Sequence, residues 1–105
     1  VNLDQESTKS GFSIEELKKA VTYIQTLPNI KLRGLMSIPK PRQSFKRQQQ
    51  IHNQLNQLLK QLDSRLDTLS MGMSNDLEAA ISAGATWVRI GTDIFGPRKT
   101  VNKTP

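Results

Sequence analysis

The chain has no cysteine and a single histidine, His52, in 105 residues. Without thiols there are neither disulfides nor thiolate metal sites, and one imidazole argues against a histidine-based metal centre. Aromatic residues make up 5% of the chain, with one Trp and one Tyr, which leaves no series of rings for nucleobases to stack on. No apolar run approaches the roughly 20 residues of a membrane helix, and no basic segment leads into an apolar one as in a secretory leader. These absences point to a small cytoplasmic unit at the lower end of the domain range. The chain opens on Val1-Asn2-Leu3 rather than Met, so further residues are expected upstream.

What is present is a basic balance of +6, which raises the question of nucleic acid. The cations are dispersed, however, and the densest cluster, Lys40, Arg42, Lys46 and Arg47, has only Phe45 within it. That pattern reads as a solvated surface or a weak phosphate patch, with a nucleic-acid-binding module as an alternative.

Hydrophobic spacing supplies the elements. Ile14, Leu17, Val21 and Ile24 recur at intervals of three and four, the stripe of an amphipathic helix over 13–27. Ser13 with Glu16 makes a capping box, and Pro28 stops the helix. "KLRGLMSIP" is short, apolar and closed by proline, as a buried strand is. Over 44–63, Phe45, Ile51, Leu55, Leu58 and Leu62 predict a second helix, its other side rich in glutamine and His52 at the surface or boundary. "DTLSMG" reads as a strand. Ser74 is expected to cap a short helix with Asp76 in its first turn and Leu77, Ala80 and Ile81 facing inward, ended by Gly84. "TWVRIGT" reads as the last strand, followed by one turn at "DIFG", and "VNL" as the tail of an earlier strand. Strands separated by helices form parallel sheets, because a parallel pair needs a crossover.

Alternation places Trp87, Arg89 and Gly91 on one face of the last strand and Val88 and Ile90 on the other. Leu69 and Met71 likewise oppose Thr68 and Ser70. One apolar and one mixed face per strand is the pattern of a barrel with helices outside. A charged Arg89 on the interior face needs a partner, either a carboxylate such as Asp4, Asp67 or Asp93, or a ligand. Ser74 and the pair Gly91-Thr92 stand at strand ends, where hydroxyls and free N–H groups suit a phosphate.

"GLMSIP", "LSMGMSNDLEAAISAGATWVRIGT" and "IFGPR", together with the opening "VNLDQESTKSG", closely resemble the pyridoxal phosphate homeostasis proteins, whose barrel is related to the N-terminal domain of alanine racemase. The resemblance runs from Val1 to about Arg98. It implies an α/β fold, a (β/α)8 barrel of which this chain is the C-terminal half, with residues 1–98 in the half-barrel and 99–105 a basic, flexible tail. It also implies binding of pyridoxal 5'-phosphate (PLP) without turnover and a role in vitamin B6 and amino-acid balance. Carried over, Ser74 and the backbone around Met73 hold the phosphate with Gly91 and Thr92, and Arg89 faces the pyridine nitrogen.

Two departures accompany the resemblance. The family's Schiff-base lysine, in an apolar-Ser-Lys context on an early strand, has no counterpart here, since neither Lys31 nor Lys40 has that context. Asp93 stands where many relatives have a small residue, and its charge disfavours phosphate unless it points away. Half a barrel leaves two sheet edges unpaired, so the remaining half or a second copy of the chain is the expected partner. A PLP-dependent racemase of the same fold type is the enzyme alternative, disfavoured because the only tyrosine, Tyr23, lies in a helix; a fragment without ligand is the remaining one.

Overall fold

The computed structural model describes residues 1–97, so the tail expected at 99–105 lies outside the described residues. Helix α1 spans Ile14–Gln25 and opens with the expected capping box, Ser13 and Glu16 each bonding the other's backbone amide. Strand β1 is Gly34–Met36, helix α2 is Phe45–Leu62, and strand β2 is Thr68–Ser70. Two short helices follow, α3 at Leu77–Ser82 and the single turn α4 at Thr92–Phe95.

β1 and β2 pair in parallel, Leu35 opposite Leu69 and Met36 opposite Ser70, with α2 as the crossover. The run expected to be the last strand joins this sheet through one parallel bridge only, Ser70 with Trp87. The Trp87 amide reaches the Leu69 carbonyl, but the Arg89 amide reaches Gly72 rather than Met71. Gly72 has φ +98°, and this left-handed residue shifts the ladder by one position, as a bulge does. Residues 1–3 form no strand, although the Val1 nitrogen donates to the Met36 carbonyl at 2.7 Å beside β1.

The core lies on one side of the sheet. Leu35 and Leu69 from the strands and Met71 just past β2 meet Leu17 and Val21 of α1 and Leu55 and Leu59 of α2. The seam of α2 is His52, Leu55 and Leu59, one position round from the expected stripe. Phe45, expected on that stripe, is 49% exposed. A helix of 18 residues is about 27 Å long, and its first turn outruns strands of three residues. Ile81, also expected inward, is exposed, because α3 buries Ala79 and Ala80 instead. Their small side chains let α3 approach the chain so closely that a Cβ on Gly72 would stand 2.5 Å from that of Ala80.

Candidate functional site

The loops that follow the three parallel rows lie side by side and form a trough. Its first section, about 410 Å³, is lined by Val1, Lys9, Met36, Ser37 and Ile38 among others. A narrower section shares Lys9, Ser37 and Ile38 with it and extends to Gly72 and Met73. The last section, about 670 Å³, is lined by Met73, Ser74, Gly91 and Thr92 with Pro41 and Phe95. Four of the five expected site residues therefore share one cavity at the carboxyl ends of the parallel rows.

A hydrogen bond ties the two halves of that cavity together, since the Asp93 amide donates to Ser74 Oγ at 3.1 Å. Ser74 does not cap α3, contrary to expectation. Asp76 holds the cap position and Leu77 begins the helix, so Ser74 lies in the preceding turn with its hydroxyl directed to the neighbouring loop. The same correction moves Asp76 out of the first turn. Gly91 has open space where a Cβ would be, so a ligand atom can come close to its backbone. Asp93 is exposed.

Arg89 is apart from this cavity. Its Nη2 donates to the Ser37 carbonyl at 2.9 Å, crossing β2 to reach the chain just after β1, and Nε is buried with no partner among the described residues. Among the described residues no carboxylate meets it. Asp4 is paired with Arg42 and Asp67 with Arg33, so two of the three candidate carboxylates are already engaged. The Arg33 guanidinium holds Asp67 down to about 2. Arg42, bonded to Asp4 and to the Lys40 carbonyl, is drawn out of the basic cluster, and Lys46 and Arg47 remain as exposed cations on α2. No group of three or more metal-ligating side chains occurs among the described residues, and no helix there is long and apolar enough to cross a membrane.

Ser37 and Asp76 border the trough and His52 stands behind it, and none of the three was among the expected site residues. Ser37 is 1% exposed and Asp76 partly buried, and His52, expected at the surface or boundary, is 0% exposed. His52 Nε2 lies 2.8 Å from Asp76 Oδ2, and Asp76 Oδ1 accepts the Met73 amide at 2.7 Å. The Asp76 partner offsets part of the cost of that burial by bonding one of the two ring nitrogens. Treating His52 as a seam residue, three before Leu55 and seven before Leu59, would have found it.

The sequence matches the alanine racemase N-terminal domain over residues 1–99. It is similar to the pyridoxal phosphate homeostasis protein of Pseudomonas aeruginosa, 52% identical over 98 residues that cover 93% of this chain and 43% of that protein. The protein of the same name from Escherichia coli strain K12 is 46% identical over 101 residues, with 93% and 43% covered. Among solved structures, PipY of Synechococcus elongatus without PLP aligns with a TM-score of 0.81 at 32% identity, over 91% of this chain and 47% of that one. The same protein with PLP bound aligns at 0.76 and 32%, over 85% and 44%. The chain thus spans less than half the length of these relatives.

Proposed function

The chain belongs to the alanine racemase N-terminal domain family, and from that premise we propose that it takes part in binding PLP, in a protein that keeps the cofactor in balance rather than using it in turnover. The observation that carries this reading is the Asp93–Ser74 hydrogen bond, which brings Ser74 and the Gly91-Thr92 backbone to one cavity. Hydroxyl and amide donors converging on open space are what a phosphate requires. The names of the relatives and the PLP-bound PipY structure support the choice of ligand.

In this proposal Ser74, Gly91 and Thr92 supply the donors that hold the phosphate, while Met73, whose amide is already taken by Asp76, lines the cavity beside them. Arg89, anchored through Nη2 to the Ser37 carbonyl and partly exposed, is assigned in the same proposal to the pyridine nitrogen. When bound, the cofactor supplies an aldehyde and an electron-withdrawing ring. A fixed guanidinium beside the ring nitrogen disfavours its protonation and so weakens the ring as an electron sink, which suits a carrier better than a racemase.

The finer fold belongs to the same proposal: the three parallel rows are consecutive staves of the C-terminal half of a (β/α)8 barrel, in a cytoplasmic protein. Its open edges would be met by the other staves, which in the family carry the Schiff-base lysine, or by a second copy. Sedimentation of the isolated chain as a well-folded monomer would refute the need for either.

Titration of the purified protein with PLP, followed through Trp87, the only tryptophan, tests the ligand. Saturable binding is expected, weakened about tenfold by Ser74→Ala, the loss of one hydrogen bond to a charged group. Arg89→Met is expected to weaken PLP and phosphate-free pyridoxal alike. Absence of saturation in the unmodified protein would overturn the reading.

A further inference from the structure

We infer that His52 and Asp76 are positioning residues that fix the phosphate loop to α2, an inference that rests on the reading of Met73-Ser74 as part of a phosphate site. Asp76 bridges two elements, with one carboxylate oxygen 2.8 Å from His52 Nε2 on α2 and the other accepting the Met73 amide at 2.7 Å. Pinning the Met73 amide sets the direction in which the chain enters Ser74. Gln48 of α2 reaches the same loop through the Asn75 carbonyl at 3.4 Å, a longer second tether.

Two features distinguish this arrangement from ordinary helix stabilisation. An aspartate at a helix N-cap usually accepts from an amide of the first turn, yet Asp76 makes no such bond. Its side chain is turned back toward the loop that precedes the helix. The seam of α2 would also pack with an apolar residue at position 52, without the desolvation of an imidazole. His52 is instead fully buried, and its Nδ1 has no hydrogen-bond partner among the described residues. The 2.8 Å contact needs its proton on Nε2, because a carboxylate offers only acceptors. The histidine is therefore a donor aimed at the carboxylate that holds the loop.

The test compares His52→Leu, His52→Gln and Ser74→Ala with the unmodified protein, using PLP and phosphate-free pyridoxal as probes and amide exchange at Met73 as the structural readout. His52→Leu is expected to weaken PLP about tenfold, the equivalent of one charge-assisted hydrogen bond, to leave pyridoxal binding unchanged, and to speed exchange at Met73 but not at Leu69 in the core. His52→Gln keeps an N–H for Asp76 and should restore both PLP affinity and Met73 protection, which a purely space-filling role would not produce. Should His52→Leu fail to fold, the flexible apolar His52→Met carries the same comparison. If Ser74→Ala weakens PLP while the His52 variants bind and exchange like the unmodified protein, the positioning role is overturned. If Ser74→Ala leaves PLP binding unchanged, the phosphate-site reading fails, and this role in it fails with it; altered Met73 exchange would then report only a structural tether.

Discussion

Leu35, Leu69 and Met71 point from the sheet into a core where Leu55 and Met71 are 0% exposed, whereas Met36 and Trp87, on the opposite side of the same rows, are 48% and 67% exposed. The first face is finished within the chain: α1 and α2 cover it, and its residues are small or aliphatic. The second carries a large aromatic ring and, beside it, the guanidinium of Arg89. The difference separates two jobs. Stability resides on the helix-covered face, while the other leaves its large side chains open, the face that the proposal above gives to a ligand or to the rest of a sheet.

The largest test of that division is a pair of truncations. Leu55→Ala should cost about 3 kcal/mol, the transfer term plus a cavity in a packed core. Trp87→Ala, though it deletes a larger side chain, should shift stability by no more than about 0.5 kcal/mol. Urea unfolding of both variants measures the contrast. A Trp87→Ala cost rivalling that of Leu55→Ala would mean that the bare face is covered in solution, and the comparison would break.

Two glycines sharpen it further. Gly72 combines a φ of +98° with a Cβ position 2.5 Å from Ala80 Cβ, so Gly72→Ala should cost about 2 kcal/mol through backbone strain and crowding. Gly91 has φ −112° and nothing within 4 Å of its Cβ position. Gly91→Ala should leave the thermal midpoint unchanged and weaken PLP, because the methyl group enters the space assigned to phosphate. Unchanged affinity would remove Gly91 from the site.

The order of helices and rows was legible in the sequence because each rests on a local signal: the Ser13–Glu16 box, the Gly34–Met36 apolar run, the left-handed Gly84 that closes α3. So was the convergence of Ser74 with Gly91-Thr92, since both follow parallel rows whose ends must lie together. The rest depended on contacts between distant residues. Nothing near His52 announces Asp76, 24 positions on, and without that partner a histidine is assigned to the surface. Ser74 reads as a cap because serine before a helix commonly is one; only the neighbouring loop, which delivers the Asp93 amide, makes it an acceptor there. The last row fell short of a strand because a single left-handed Gly72 slipped its ladder, a tertiary consequence that β-propensity in "TWVRI" does not encode.

The smallest effect concerns the rim, where the segment before α1 meets the loop after β1. Asp4 accepts the Lys40 amide at 2.6 Å and pairs with Arg42. The Arg42 guanidinium, foremost, holds its carboxyl below the usual aspartate value. A depressed carboxyl contributes stability that is present above its unfolded value of about 3.9 and lost as pH falls through the lower folded value. The unmodified protein should therefore exceed Asp4→Asn in stability by about 1 kcal/mol or less, as partly exposed ion pairs do. That gap should stay flat from about pH 8 to 5 and narrow below about pH 4. Parallel denaturant titrations across this range measure it. A gap that instead persists at low pH would mean that Asp4 acts through packing and not through its charge, and the rim would then belong with the helix-covered core rather than with the bare face.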